Sequence, residues 1–235
     1  MDLAANLDHV RQRISAACLR SGRQAASVTL ITVSKGQPAE VVCAAAELGL
    51  SIFGESRVQE AKAKIGLCPG RLRWHLIGHL QSNKCRDAVH FFAMIQSVDS
   101  LALAQEINRW AEKSAKTMPV LIEVNVAGES SKFGYAPEKV LAEVKEINSL
   151  PRIELHGLMT VAPFAQDTER VRPVFRRLRE LKGQCEELLG APLPDLSMGM
   201  SGDFEVAVEE GATMIRLGSA VLGARTAARP AAGDP

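Results

Sequence analysis

Eight short runs of β-branched and aliphatic residues recur along this chain, and each is followed by a stretch with helical spacing. That alternation is the strongest constraint on the fold. A helix between two strands returns the chain to the same edge, so successive strands lie parallel, and parallel strands need helices packed on their outer face. The first run, Val28–Ser34, holds six β-branched or Leu residues in seven positions and stops at Lys35. A run apolar on both faces reads as a strand buried within a parallel sheet. Strands are read at 28–34, 51–55, 72–77, 91–98, 120–126, 153–161, 196–198 and 214–217. Helices are read at 38–49, 57–65, 81–87, 100–116, 137–149, 167–189 and 202–210, with a last turn at 218–223. Gly49 suits a helix end, Asp99-Ser100 an N-cap, and Pro137 the first residue of a helix. Ahead of the first strand, Leu3, Leu7, Val10, Ile14 and Ala17 form one apolar stripe on a helix ending near Ser21-Gly22. Eight repeats in 235 residues predict an α/β fold closed as a single (β/α)8 TIM barrel with an extra N-terminal helix, one domain over residues 1–225. An open doubly wound sheet is the alternative, but no G-x-G-x-x-G follows the first strand. Thr226–Pro235, rich in Ala, Pro and Gly, is expected to be a disordered tail.

An apolar fraction of 46% is ample for such a core, and a net charge of +1 gives no electrostatic footprint for nucleic acid or an anionic membrane. The charged, periodic N-terminus has no apolar h-region, and no run approaches the roughly 18 apolar residues of a membrane span. Cysteines 18, 43, 68, 85 and 185 are scattered and contain no C-x-x-C pair, which is reduced rather than disulfide or zinc usage. The expected location is cytoplasmic.

Barrels of this type carry their chemistry at the carboxyl ends of the strands. Lys35 stands at such an end, where an amine either pairs with an anion or attacks a carbonyl. The loops after strands seven and eight, a common phosphate site, read Gly199-Met200-Ser201-Gly202 and Gly218-Ser219. Both offer Gly, which lets backbone N–H groups approach an anion, and both offer a hydroxyl. The helix after Ser201 would point its positive end at the same place. Arg216 lies inside strand eight, two residues before Gly218, so the two share a face. Strand eight meets strand one when a barrel closes. Lysine, phosphate cup and arginine in one pocket suggest a phosphorylated carbonyl compound held as a Schiff base. Pyridoxal 5′-phosphate fits that description, and so does the substrate of a Schiff-base sugar-phosphate aldolase.

Several blocks match a known family: Val33-Ser34-Lys35, Phe53-Gly54-Glu55 with Val58-Gln59-Glu60, Trp74 through Lys84, Ser131-Lys132-Phe133-Gly134, His156-Gly157-Leu158-Met159, Leu196 through Ser201 with Asp203, and Arg216-Leu217-Gly218 with Gly223-Ala224-Arg225. In these the chain resembles the YggS/PROSC family, the pyridoxal phosphate homeostasis proteins, from about Val28 to Arg225. The resemblance implies a barrel like the amino-terminal domain of alanine racemase, with pyridoxal phosphate on Lys35. It implies phosphate at Ser201, Gly202, Gly218 and Ser219, Arg216 on the pyridine nitrogen, and Asn83 and Met198 near the ring. The family's usual Gly-Glu-Asn is Gly54-Glu55-Ser56 here, so position 56 is left outside the site.

Other features carry less. His75 and His79 are four apart, but no carboxylate or Cys cluster accompanies them, so no metal site is expected. His156 reads as a satisfied core histidine, and the Arg170–Lys182 run as a solvated helix face. Racemisation needs an acid/base on each face of the cofactor ring. The family comparison implies that in alanine racemase a Tyr from a second domain of the partner subunit supplies one. No second domain is read in this sequence, and its single Tyr, Tyr135, is expected at the surface. An arginine at the pyridine nitrogen also disfavours its protonation and weakens the ring as an electron sink. The expectation is a protein that buffers or delivers pyridoxal phosphate within the cell, without robust catalysis. It is expected to be monomeric, with apo pyridoxal phosphate enzymes as transient partners. The alternative is a pyridoxal phosphate-dependent amino-acid racemase or, with a sugar phosphate in the pocket, an aldolase.

Overall fold

The computed structural model describes residues 2–129 and 132–223; the predicted tail lies outside them. Eight parallel strands close in sequence order into a barrel. They are β1 (Thr29–Val33), β2 (Ile52–Glu55), β3 (Arg73–Leu76), β4 (Met94–Val98), β5 (Met118–Glu123), β6 (Ile153–Met159), β7 (Asp195–Ser197) and β8 (Met214–Leu217). The outer helices are α1 (Leu3–Arg20), α2 (Ala39–Glu47), α3 (Val58–Ile65), α4 (Cys85–Phe91), α5 (Leu101–Lys113), α6 (Pro137–Asn148), α7 (Arg172–Leu189), α8 (Phe204–Glu209) and α9 (Ser219–Leu222). The barrel and the extra helix are those expected from the sequence.

Asp2 caps α1 by accepting from the Ala5 N–H at 3.0 Å. The buried stripe Leu7, Val10, Ile14, Ala17 and Cys18 then seats α1 against α8 and α9. Arg13–Glu205 at 2.7 Å and Arg20–Glu209 at 2.6 Å fix its rotation. Because α8 and α9 have six and four residues, α1 supplies the apolar cover that they are too short to give.

The two-residue period of a strand sorts the side chains. Ile31, Met94, Leu121, Met159 and Met214 pack together in the lumen. Phe53, Leu76, Ile95, Ile122, Leu158, Leu196 and Ile215 point outward into the main core under the helices. The β1–β8 pairing, Thr29↔Met214 through Thr32↔Leu217, closes the barrel. It also sets the level of Arg216 opposite Ile31.

Several boundaries differ from the sequence reading, among them the helix read at 81–87, which is a 3-10 turn, Ser82–Lys84, leading into α4. Strand four starts at Met94, since Phe91 closes α4 and the Phe92 N–H still bonds the Ala88 carbonyl. The aromatic pair looks strand-like, but Phe92 is a buried helix end. Strand five runs from Met118 to Glu123, because Val124 and Tyr135 form an isolated bridge instead of extending it. Asp167 caps a separate 3-10 turn, Thr168–Val171, and α7 begins only at Arg172, with Pro173 in its first turn.

β6 carries an irregularity: Val120 pairs with Leu155, and Leu121 with Gly157. A Cβ on Gly157 would fall 1.8 Å from the Asp195 carbonyl oxygen. Gly157→Ala is therefore expected to separate β6 from β7 and to cost more than about 3 kcal/mol. Denaturant unfolding should read this as a lower midpoint, and a midpoint equal to wild type would refute the close approach.

Candidate functional site: the carboxyl mouth of the barrel

Arg216 organises the mouth. It is buried inside the lumen, and its guanidinium donates to Ser197 Oγ at 2.7 Å and to the Thr160 carbonyl at 2.7 Å. A guanidinium has five N–H donors, so anchoring by two leaves others for a ligand. Burial pushes it down to about 10, opposed by the carboxylates of Glu123 and Asp203, and it remains a cation at neutral pH.

Behind Arg216 the donors run in one direction across the barrel. The Ser197 hydroxyl donates to Gln96 Oε1 at 2.7 Å, and Gln96 Nε2 lies 3.0 Å from His75 Nδ1. With the Gln96 oxygen occupied, its amide must donate, so His75 Nδ1 accepts and the ring proton sits on Nε2. Burial, aided by Arg73, lowers His75 to about 4, which keeps it neutral. Glu123, next along the inward face from Leu121, is 9% exposed and its Oε2 has no partner. Burial pushes its carboxyl up to about 7 despite the field of Arg216.

The two glycine-serine turns meet. Ser201 Oγ accepts from the Ala220 N–H at 3.4 Å, which joins the β7–α8 and β8–α9 turns side by side. Gly199 has φ +94°, and a Cβ there would lie 2.6 Å from the Ala207 Cβ, so only glycine lets the turn lie on α8. Asp203 holds the turn from within, accepting from the Met200 N–H at 2.6 Å. Gly218 approaches β1 closely, its would-be Cβ 3.2 Å from the Val33 carbonyl oxygen. Gly202 and Ser219 are exposed. With such short helices behind them, the donors of this cup are hydroxyl and backbone N–H groups more than a helix dipole. Lys35, next after Val33 on the parity of Ile31, stands exposed in the turn that follows β1.

The side chains of two residues that the resemblance places near the ring, Met198 and Asn83, have other surroundings. Met198 is fully buried in the core beneath the helices, because Ser197 takes the inward face and the next residue must point out. Asn83 is exposed in the 3-10 turn after β3, beside a surface cavity shared with His79, Asp99 and Ser100. Lys35, Arg216, Gly218, Ser219, Ser201 and Gly202 are brought to one mouth. Sequence reading missed Thr160, Ser197, Gln96, His75 and Glu123, although the period-2 rule applied from Met94, Leu121 or Met214 would have pointed Gln96, Glu123 and Arg216 inward together.

The remaining candidates resolve differently. His75 and His79 do not converge: His79 Nδ1 lies 3.0 Å from Asp99 and its ring stacks on Phe133. His156 is half-buried rather than a core residue, held by Asp195 at 3.1 Å, which raises it, and by Glu154 at 3.2 Å. Tyr135 is buried, not at the surface, and its hydroxyl donates to Glu143 at 2.8 Å. The Arg170–Lys182 run is not merely solvated, since Arg172 bridges Glu169 to Glu209 and Glu210 on the neighbouring helix end. Ser131, Ala224 and Arg225 lie outside the described residues.

A barrel of this topology, with an amine, an anchored guanidinium and a hydroxyl-and-amide cup at one mouth, falls in a recognised class. A family model described as alanine racemase, N-terminal domain, matches residues 3–226. The pyridoxal phosphate homeostasis protein of Aquifex aeolicus is 42% identical over 226 residues, covering 96% of this chain and 99% of that one. The structure of PipY from Synechococcus elongatus with pyridoxal phosphate bound has a TM-score of 0.82 at 37% identity, over 94% of this chain and 100% of that chain. The alanine racemase of Clostridium difficile shares the fold, with a TM-score of 0.70 at 19% identity, and this chain spans 55% of it. The chain belongs to the family of pyridoxal phosphate homeostasis proteins.

Proposed function

We propose that this protein binds pyridoxal 5′-phosphate at the barrel mouth and serves intracellular cofactor homeostasis, buffering or delivering it without robust turnover. The observation that carries the reading is the convergence of the exposed Lys35, the Ser201–Ala220 cup and Arg216 at one end of one barrel. Bound there, the cofactor supplies a carbonyl for the Lys35 amine, a dianionic phosphate for the cup, and a ring nitrogen able to accept from Arg216. Lys35 holds, Ser201, Gly202, Gly218 and Ser219 orient, and Arg216 keeps the ring nitrogen from acquiring a proton. Gly202 fits this role, since a Cβ there would meet nothing within 4 Å and the fold alone does not demand glycine. Asn83 would reach the ring only with movement of its turn, and Met198 would contribute through its backbone. Residues 1–225 act as one cofactor-holding unit. The protein acts in the cytoplasm as a monomer, and apo enzymes that use the cofactor are its transient partners.

Two features argue against the racemase alternative. Arg216 disfavours the electron sink, and Tyr135, committed to Glu143 in the core, is removed from acid/base work at the mouth. Exchange of amino-acid α-protons in heavy water should stay near the rate of free cofactor.

Ser201→Ala tests the cup. Losing one charge-assisted hydrogen bond of ~1.5–3 kcal/mol should weaken pyridoxal phosphate binding roughly ten- to a hundredfold. Pyridoxal, which lacks the phosphate, should bind the variant and wild type alike. Equal losses for both ligands would remove Ser201 from the phosphate.

A further inference from the structure

The two neighbours of Lys35 are held from beneath by a buried ion cluster that the reading above leaves without a role. Lys64, on α3, is 6% exposed. Its ammonium has three N–H donors and three acceptors: the Ser34 carbonyl at 2.8 Å, Glu55 Oε1 at 2.5 Å and Glu60 Oε1 at 3.2 Å. Glu55, fully buried at the end of β2, also accepts from the Ser34 hydroxyl at 2.7 Å. Glu60 Oε1 accepts from the Gly36 N–H at 2.5 Å. Every hydrogen bond these three side chains make outside the cluster, among the described residues, goes to Ser34 or Gly36. The residue between them, Lys35, is left exposed.

Burying an ammonium with its carboxylates carries a desolvation cost that their mutual attraction often fails to offset. Glu55 carries part of that cost: burial raises its carboxyl despite the bonds from Lys64 and Ser34, and its Oε2 has no partner. What the cluster supplies in exchange is a fixed backbone. Gly36 has φ +71°, a left-handed turn residue with no side chain of its own to anchor it. We propose that Lys64, with Glu55 and Glu60, is a positioning device for Lys35: it locks the 34–36 turn so that the Lys35 amine is presented over the mouth toward the cup. This rests on the reading of Lys35 as the cofactor's amine partner. The same geometry explains why α3 begins so soon after β2: Glu60 and Lys64 are four apart, one turn of helix, and reach the same point beneath the β1 turn.

The test uses Glu60→Ala, Glu60→Gln and Lys64→Met. The Glu60 side chain is 31% exposed, so its variants should fold even if Lys64→Met does not. Three quantities are read. The first is backbone amide exchange over residues 34–36 in cofactor-free protein. The second is the rate at which pyridoxal phosphate becomes fixable to Lys35 by borohydride. The third is affinity for pyridoxine 5′-phosphate, which has the ring and phosphate but no aldehyde. Glu60→Ala should speed exchange at Gly36 roughly tenfold. It should slow fixation by about the same factor, and Glu60→Gln, whose amide oxygen can still accept, should restore both. Lys64→Met should slow fixation roughly ten- to a hundredfold, the expected size for a misplaced reacting group. Pyridoxine phosphate affinity should stay within about twofold in all folded variants, because the cup and Arg216 are untouched. Unchanged fixation in Glu60→Ala, or pyridoxine phosphate affinity falling in step with fixation, would overturn the proposal. Failure of the parent reading looks different: wild-type protein would then carry no pyridoxyl group on Lys35, whatever exchange at Gly36 shows.

Discussion

Arg216→Met protein is expected to be at least about 3 kcal/mol less stable than wild type and to bind pyridoxal phosphate roughly tenfold more weakly. Both effects follow from its place in the lumen. Its guanidinium satisfies Ser197 Oγ and the Thr160 carbonyl, and through Ser197 it fixes Gln96 and His75. Removing it leaves those acceptors buried and takes away the cation facing Glu123 and Asp203. Leaving the buried partners of a charged donor unsatisfied costs about 1–3 kcal/mol each, and the proposed hydrogen bond from Arg216 to the ring nitrogen would account for the tenfold. Arg216→Glu should be less stable still, since it adds a third carboxylate to that neighbourhood. In whatever fraction of it retains cofactor, α-proton exchange should rise, because a carboxylate can accept from a protonated ring nitrogen and restore the electron sink. Denaturant unfolding, followed by exchange measured at equal cofactor occupancy, reads both. Wild-type stability for Arg216→Met would mean that the lumen network is not what holds this end of the barrel.

Glu123→Gln should be more stable than wild type, and only at the alkaline end. The carboxyl of Glu123 stands at about 7 in the folded protein against an ordinary 4.5, with burial as the main cause. The folded state therefore holds this proton more tightly than the unfolded chain does, and stability falls as pH rises from about 4.5 through about 7. An amide of the same shape has no charge to desolvate. The gain over wild type should be ~3 kcal/mol at pH 8 and should vanish near pH 4.5. Because Glu123 faces the mouth with an unpartnered oxygen, its replacement should also alter the pH dependence of cofactor affinity. A stability difference independent of pH would show that Glu123 is solvated or paired in the folded state.

The sequence made the barrel legible because its signals are local and repeated. Each strand is a short apolar run, four of the helices open on a cap or a first-turn proline (Asp2, Ser100, Pro137, Pro173), and eight repeats leave little choice but closure. The same locality explains the boundary errors. Phe91-Phe92 has strand composition, but whether it ends a helix is decided by the Ala88 carbonyl and the pocket that buries Phe92. Tyr135 reads as a surface residue because it follows a polar loop, and nothing local reveals that Glu143, nearly two turns into α6, accepts from its hydroxyl. At the mouth, Lys35, Arg216 and the two glycine-serine turns could be named because strand ends and turns announce themselves. The cluster of Lys64, Glu55 and Glu60 could not: a Lys and a Glu four apart on a helix read as a solvated pair. Their burial depends on Ser34 and Gly36, more than twenty residues earlier in the chain. Met198 shows the converse, a side chain whose direction the resemblance does not give. Resemblance placed it at the ring, while the alternation that turns Ser197 inward turns Met198 out.

Lys35 is the proposed amine to which the cofactor attaches. The most direct measurement is borohydride reduction of the protein loaded with pyridoxal phosphate, followed by proteolysis and peptide mass analysis. The expected result is one pyridoxyl group per chain on the peptide containing Lys35, absent from Lys35→Ala. A pyridoxyl group on Lys84 or Lys132 with Lys35 unmodified, or labelling undiminished in Lys35→Ala, would contradict it.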